Sequence, residues 1–170
     1  MDDDINQLLV ALKLHRMREI LEERVRVATA EGTSYTEFLR RLLREEHHAQ
    51  QTRFLAGRIA RARMPERWSL DTFPWERQPG VRRAVVEELA TLDSIAQGQN
   101  IVLVGPTGTG KTAIASGILL AALFAGRRGL FIKAQELFDD MYRSLADHSS
   151  RKLLDRLARV ELIVVDEMGY

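Results

Sequence analysis

The fold is decided by residues 101–126, which read IVLVGPTGTGKTAIASGILLAALFAG. The four apolar residues at the start predict a buried strand, and the apolar run after the loop predicts a helix that ends at Gly126. The loop between them meets the pattern G-x-x-x-x-G-K-[ST] at every fixed position. The residues of this loop are Gly105, Pro106, Thr107, Gly108, Thr109, Gly110, Lys111 and Thr112.

This loop has the chemistry of a phosphate-binding site. Its glycines let the backbone curl so that successive N–H groups face one point, and the helix that follows adds the positive end of its dipole. Lys111 supplies a charge for the β- and γ-phosphates, and the Thr112 hydroxyl is a candidate ligand for Mg²⁺. A glycine-rich turn without function is the alternative, but the strand before the loop and the helix after it favour a phosphate site.

Two adjacent carboxylates follow a second apolar run at residues 162–167, LIVVDE. A continuous apolar run indicates a buried parallel strand, and ligands bind at the carboxyl ends of such strands. We therefore expect Asp166 to hold Mg²⁺ and Glu167 to polarise a water molecule for attack on the γ-phosphate. The acid at position 167 and the lack of an N-K-x-D guanine motif favour ATP over GTP. A surface turn with two solvated acids is the alternative.

Composition excludes several other classes of protein. The chain has 170 residues, 45% of them hydrophobic, with a net charge of +1 and no cysteine. Disulfides and thiolate zinc sites are therefore excluded, and the overall charge does not indicate a nucleic-acid partner. The acidic N-terminal stretch does not resemble a secretory signal, and no apolar run is long enough for a membrane span. We expect a cytoplasmic protein with no membrane partner.

The pattern of residues divides the chain into three regions. Residues 1–64 are predicted to be all-helical, residues 65–80 form an aromatic, proline-rich linker, and residues 81–170 alternate between strand and helix patterns, which is typical of an α/β domain. Helical periodicity breaks near residues 14–16, and a third helix opens at Ser34, where Glu37 completes a capping box. That helix is expected to turn inward Phe38, Leu39, Leu42 and Leu43 and to end at Met64-Pro65. The elements expected in the α/β domain are helices at 81–96, 134–145 and 150–158 and strands at 101–104, 129–133 and 162–165.

The sequence resembles the IstB-like transposition helper ATPases, which are AAA+ proteins close to the DnaC-type helicase loaders. In the ATP motifs, the resemblance is carried by QNIVLVGPTGTGKT and IVVDEMGY. In the helical region and linker it is carried by LKLHRMREILEE, TSYTEFLRRLLREE, RIARARMP and DTFPWERQPGV. It covers essentially the whole chain, and the N-terminal match favours the transposition helpers over the loaders.

The resemblance implies the N-terminal half of a three-layer AAA+ core with a parallel sheet, preceded by a small helical region. It implies that residues 105–112 bind ATP and Mg²⁺, that Asp166 supports the metal, and that Lys111 and Glu167 are catalytic. Phe73 corresponds to a position near the adenine. The implied partners are double-stranded DNA, a transposase and further copies of the same chain.

The sequence departs from the family pattern after the D-E-x-G-Y segment. Family members continue there with further strands, a polar residue that senses the γ-phosphate and an arginine supplied to a neighbouring subunit. Their strand order resembles 5-1-4-3-2, which places a later strand between the strands that end at Gly105 and Asp166. If the chain is complete, we expect little or no ATP hydrolysis, since loss of a transition-state arginine alone costs about 10³–10⁵ in rate. A helicase loader and a nucleotide-binding remnant without turnover are the alternative functions.

A basic segment within the helical region is the candidate DNA contact. Between Thr36 and Arg63 there are seven arginines against three glutamates, a net charge of +4. Arginines suit phosphate recognition, although these do not fall on one helical stripe, and a solvated, salt-bridged face is the alternative. With the resemblance added, we expect contact with the DNA backbone and little sequence preference. The candidate residues are Arg40, Arg41, Arg44, Arg53, Arg58, Arg61 and Arg63.

Overall fold

The chain forms two compact units in the computed structural model, which describes residues 3–169. The first unit is Met1–Phe54 and the second is Leu55–Tyr170. The division between them falls inside the third helix, so the last turns of that helix belong to the second unit. The functional boundaries at residues 64 and 80 stay a prediction.

Three helices make up the first unit as far as it is described: α1 (Asp3–Ala11), α2 (His15–Glu31) and α3 (Tyr35–Arg61). The expected break near residues 14–16 is confirmed, because α1 ends at Ala11 and Lys13 adopts a left-handed φ of 57°. The core of this unit contains Leu9, Met17 and Leu42, one from each helix.

The capping residue predicted for α3 is confirmed, since the Glu37 N–H donates to the Ser34 hydroxyl at 3.4 Å. The expectation for its apolar face was wrong in part. Leu42 is buried, but Leu39 and Leu43 are about half exposed, at 51% and 50%. Within α3 the buried residues are Leu42 and Glu46, one helical turn apart. The helix therefore buries a single narrow stripe rather than the broad face that the sequence pattern indicated.

The second unit continues from the end of α3 through helices and a short sheet. Two 3₁₀ turns, Leu70–Thr72 and Trp75–Arg77, lie in the linker. The remaining elements are α4 (Arg83–Ala90), α5 (Asp93–Ala96), α6 (Lys111–Phe124), β1 (Gly129–Lys133), α7 (Ala134–Ala146), α8 (Ser150–Ala158) and β2 (Leu162–Asp166).

The predicted α/β class is confirmed by a parallel pair of strands with helices packed on it. β1 and β2 align so that Gly129 lies opposite Leu162 and Lys133 lies opposite Asp166. Both strands contact α6. The approach of α6 to β1 is close enough to require glycine, because a Cβ on Gly129 would lie 2.3 Å from Leu119 Cδ1. Because β1 and β2 are parallel, their carboxyl ends meet at one edge of the sheet.

Helix α6 is the centre of the second unit. Eight of its 14 residues are buried, on all sides of the helix, as expected for a helix that is apolar all round. Its N-terminal half packs with Phe73 and Val86, and its C-terminal half packs with Ala62 and Phe131. Despite this apolar character, none of the helices within residues 3–169 is long and apolar enough to cross a membrane.

The single helix expected at residues 81–96 is instead two helices, α4 and α5. Leu92 separates them with a left-handed φ of 71°. The Thr91 hydroxyl donates to the Glu88 carbonyl at 2.8 Å and lies 3.2 Å from an Asp93 carboxylate oxygen. Side-chain bonds of this kind compete with the helical backbone pattern, and the apolar periodicity does not reveal them.

The strand expected at residues 101–104 is not assigned as a strand. The sheet pairs only β1 with β2, and no backbone hydrogen bond joins residues 101–104 to another described residue. The segment still alternates in burial: Ile101 and Leu103 are half-buried, whereas Val102 and Val104 are 79% and 90% exposed. The prediction of a buried strand was therefore wrong: a strand needs a neighbour to pair with, and the described chain provides none beside this segment.

Candidate nucleotide-binding site

The glycine-rich loop ends directly at the N-terminus of α6. Gly108 and Gly110 both have a φ of 82°, in the left-handed region that glycine adopts without strain. Gly110 is the N-cap of α6, and no side chain caps the helix. The first amides of a helix have no partner within it. Those of α6 are therefore aimed at the loop, where an anion would complete their hydrogen bonds.

Gly110 also meets a steric requirement at the base of the loop. A Cβ at this position would lie 2.8 Å from two carbons of the Phe73 ring. Phe73 is 5% exposed and packs 4.6 Å, centroid to centroid, from Trp75. The Phe73 ring, which was expected near the adenine, therefore lies in the core against Gly110. The ring would have to become exposed before it could contact a base. Its role toward adenine stays a prediction.

The side chains of the loop are folded onto its own backbone. Lys111 Nζ donates to the Pro106 carbonyl at 2.7 Å, and the Thr109 hydroxyl donates to the same carbonyl at 2.8 Å. No carboxylate of residues 3–169 forms an ion pair with Lys111. Its ammonium group is thus held over the loop by a neutral acceptor, which a phosphate oxygen can replace with a stronger charge-assisted bond.

A linker residue that the sequence analysis did not single out also contacts the loop. Gln78 Nε2 donates to the Gly108 carbonyl at 3.1 Å. Together with Phe73, this bond places two residues of the linker against the loop. The motif alone could not have found Gln78, because its contact depends on the path of the linker.

The loop and the acidic strand end are brought together, although 54 residues separate them in the sequence. The Thr112 hydroxyl donates to Asp166 Oδ2 at 2.9 Å. A hydroxyl and a carboxylate are hard oxygen ligands of the kind that Mg²⁺ prefers, and magnesium sites of this type are completed by phosphate oxygens and water. No group of three His, Asp or Glu side chains within residues 3–169 could hold a metal by itself. The residues present fit Mg²⁺ bound together with a nucleotide.

Glu167 follows Asp166 but faces a different partner. Lys133 Nζ lies 2.9 Å from Glu167 Oε1, and the hydrogen bond to Glu167 raises the pKa of Lys133. Glu167 has a left-handed φ of 60°, which turns the chain at the end of β2. Lys133 was not among the predicted site residues. Its position as the last residue of β1 was the available signal, because parallel strands bring their carboxyl ends to the same edge.

The seven arginines of the predicted DNA contact are divided between the two units. Four lie in the first unit, and three of these bind glutamates: Arg40 pairs with Glu37, Arg41 with Glu31 and Glu37, and Arg53 with Glu46. Arg44 lines a cavity of about 400 Å³ in that unit. The other three, Arg58, Arg61 and Arg63, line a cavity in the second unit.

A glycine-rich loop before a buried helix, facing an acidic strand end, defines the class of P-loop nucleotide-binding proteins. Comparison with known families agrees with this geometry: the profile described as "IstB-like ATP binding protein" matches residues 7–170. The chain belongs to this family.

Three relatives illustrate the similarity. The chain is 30% identical over 167 residues to the insertion sequence IS21 putative ATP-binding protein of Pseudomonas aeruginosa, covering 98% of this chain and 63% of the relative. It is 33% identical over 170 residues to the IS5376 putative ATP-binding protein of Geobacillus stearothermophilus, covering 100% and 68%. It is 31% identical over 157 residues to an IS21-like putative ATP-binding protein of Bacteroides fragilis, covering 92% and 79%. The chain thus spans roughly two thirds of the length of the first two relatives.

Proposed function

We propose that the chain is an ATP-dependent helper of DNA transposition, which couples ATP binding to DNA binding, self-association and activation of a transposase in the cytoplasm. The observation that supports this most is the 2.9 Å bond between Thr112 and Asp166, because it joins both halves of an ATP site. The DNA and transposase parts of the proposal are supported by the names of the relatives, which are proteins of insertion sequences.

In this proposal, residues 105–112 bind the triphosphate. The amides at the start of α6 donate to the phosphate oxygens, and Lys111 exchanges the Pro106 carbonyl for the β- and γ-phosphates. Thr112 and Asp166 would hold Mg²⁺, which neutralises charge on the phosphate oxygens when it is bound.

Hydrolysis is assigned to Glu167. Its carboxylate would orient and polarise a water molecule for attack in line with the γ-phosphate. The ion pair with Lys133 directs one oxygen of this carboxylate to an ammonium group. Glu167 must therefore loosen this contact, or use its other oxygen, to act on water.

The proposal is tested by the dependence of DNA binding on nucleotide. We expect the chain to bind a labelled DNA duplex more tightly with ATP and Mg²⁺ than with ADP or without nucleotide. Lys111→Ala should lose this difference and keep the nucleotide-free affinity. Absence of duplex binding, or binding that ATP does not change in the unmodified chain, would contradict the proposal.

A helicase loader is the second candidate function, because it would share the ATP site. The match of the family profile from residue 7 onward favours the transposition helper. Co-purification separates the two: we expect the chain to retain the transposase of its own insertion sequence and not a replicative helicase. The opposite result would assign it to the loaders.

A further inference from the structure

A strongly basic groove lies in the second unit, away from the glycine-rich loop. It has a volume of about 610 Å³ and is lined by the end of α3, residues of β1, and α8. Gly129 and Leu130 of β1 contribute to it, as does Val160, which precedes β2. The lining thus begins at the amino ends of the strands and extends along β1 to Ile132, whereas Lys133 and Asp166 lie at the carboxyl ends of the strands.

Cationic side chains dominate the lining of this basic groove. Seven of the lining residues are arginine or lysine, and Asp155 is the only acid among them. The chain as a whole carries a net charge of only +1. The positive charge is thus a local concentration, and a recessed surface of one sign raises the local concentration of oppositely charged ligands.

Three of these cations already have partners in the protein. Arg128 Nε lies 3.4 Å from a Glu161 carboxylate oxygen, and Arg156 pairs with Asp140 at 2.9 Å. Arg58 Nε donates to the Leu123 carbonyl at 3.1 Å, which fixes its side chain without neutralising its charge. These contacts hold the walls of the groove in place.

The other four cations have no ion pair with any described residue. Arg61 and Arg63 lie at the end of α3, and Lys152 and Arg159 lie on or just after α8. All four are exposed. Guanidinium groups offer paired donors that match the oxygens of a phosphate, and several unpaired cations along one groove suit a ligand with repeated phosphates rather than a single anion.

We propose that the basic groove binds the phosphate backbone of double-stranded DNA. This inference rests on the proposed function, which supplies DNA as the ligand, and it specifies where the DNA is bound. It retains Arg58, Arg61 and Arg63 from the seven arginines of the basic segment. It adds four cations that the sequence analysis did not consider: Arg128, Lys152, Arg156 and Arg159.

The test measures binding of a fluorescent DNA duplex to the full chain over a range of salt concentrations. The groove variant is Arg61→Ala with Arg159→Ala, and the control is Arg18→Ala with Arg82→Ala, which removes the same charge from exposed positions outside the groove. The groove variant should bind roughly tenfold more weakly or worse, since bonds to charged groups contribute strongly. The slope of log affinity against log salt should fall by about 2. The slope measured for the control variant should differ from that of the unmodified chain by no more than about 0.5.

Two further measurements keep the result interpretable. ATP affinity should be unchanged in the groove variant, which shows that the nucleotide site is intact. Arg61→Lys with Arg159→Lys keeps both charges and should therefore keep the salt slope. If the slope falls as much in this variant as in the double alanine variant, the two residues act through folding and the proposed DNA-binding groove is overturned.

The remaining outcomes separate this inference from the proposed function. If the groove variant binds duplex as tightly as the unmodified chain, the groove is overturned while DNA binding by the protein stands. If the unmodified chain binds no duplex, both fail. Poly-L-glutamate is the competitor that tests for another ligand. If it displaces the duplex at equal charge concentration, and if its own affinity falls equally in the groove variant, the groove binds acidic protein segments instead.

Discussion

The hydroxyl of Thr112 donates to Asp166 Oδ2 at 2.9 Å and joins the first turn of α6 to the end of β2. Each residue belongs to a different motif, and each alone fits an ordinary helix start or strand end. Their contact turns two sequence patterns into one site with two hard oxygen ligands. We expect the magnesium dependence of ATP binding to rest on this pair of residues.

The first prediction concerns the magnesium dependence of nucleotide affinity. The unmodified chain should bind ATP more tightly with Mg²⁺ than with a chelator, because the metal links the phosphates to Thr112 and Asp166. The ratio of ATP affinity with Mg²⁺ to ATP affinity with a chelator should fall by roughly tenfold or more in Asp166→Asn and in Thr112→Val. The first variant loses a charged metal ligand and the second loses a hydroxyl ligand. Isothermal titration with and without Mg²⁺ measures this ratio.

Thr112→Ser is the matched control for the metal site, because it keeps the hydroxyl and removes only a methyl group. It should retain most of the magnesium effect. If Thr112→Val and Thr112→Ser respond to Mg²⁺ alike, the hydroxyl has no part in binding the metal.

The second prediction concerns the packing of Gly110 on Phe73. Gly110→Ala should destabilise the protein by about 2–4 kcal/mol, because it combines a left-handed backbone with a Cβ placed against a buried ring. Gly126→Ala is the matched control. Gly126 has a similar φ of 88° but nothing within 4 Å of the added Cβ, so only the backbone cost of about 1–2 kcal/mol applies.

Urea unfolding of both alanine variants compares the two costs directly. The Gly110 variant should lose more, and it should also lose ATP affinity, because the loop must shift to relieve the contact. Equal losses of stability in the two variants would show that Phe73 does not support the loop.

The third prediction concerns Glu46, a buried carboxylate in the first unit. It is 2% exposed and accepts hydrogen bonds from the Met17 N–H and from the Arg53 guanidinium group, both at 2.8 Å. Helix α2 has no capping side chain of its own, so Glu46 of α3 supplies its cap. Glu46→Ala should cost about 1–3 kcal/mol, because it leaves a buried donor without a partner. The neighbouring Glu45→Ala breaks only exposed ion pairs and should cost less.

The contribution of Glu46 should depend on pH. Burial acts to raise the pKa of Glu46, but the bonds from Met17 and Arg53 outweigh it and hold the pKa below its ordinary value of 4.5. A lowered pKa in the folded state stabilises the protein above the unfolded pKa, and this stability is lost as the pH falls through the folded pKa. The stability difference between the unmodified chain and Glu46→Gln should be full near about pH 7 and shrink toward about pH 3. A difference that does not change over this range would contradict the assigned role.

Local patterns predicted much of this molecule. The loop at residues 105–112 depends on glycines at fixed spacing, and β1, α8 and the break before α2 follow from periodicity and turn residues. The segment at residues 101–104 was mispredicted because an apolar run does not show whether a neighbouring strand is present to pair with it. Lys133 and Glu46 were missed because their importance depends on partners 34 and 29 residues away.

The basic groove shows the same limit. Arg61 and Arg63 were found as part of a charged segment, but Arg159 was not, since nothing in the local sequence links it to the end of α3. Conversely, Arg40 and Arg41 were grouped with them on charge alone, and the structure pairs both with glutamates. Charge counting along the chain does not show which charges are already neutralised.

The most direct test of the central claim is ATP binding by Lys111→Ala. Lys111 lies where the loop meets α6, and within residues 3–169 its ammonium group bonds the Pro106 carbonyl and no carboxylate, so removal of its side chain should leave the fold intact. We expect ATP affinity to fall by roughly 100-fold or more, because the variant lacks the ammonium group that would bind the β- and γ-phosphates. Arg151→Ala, which removes an exposed charge from α8, should bind ATP like the unmodified chain. Equal ATP affinity in Lys111→Ala and the unmodified chain would contradict the assignment of this loop as the nucleotide site.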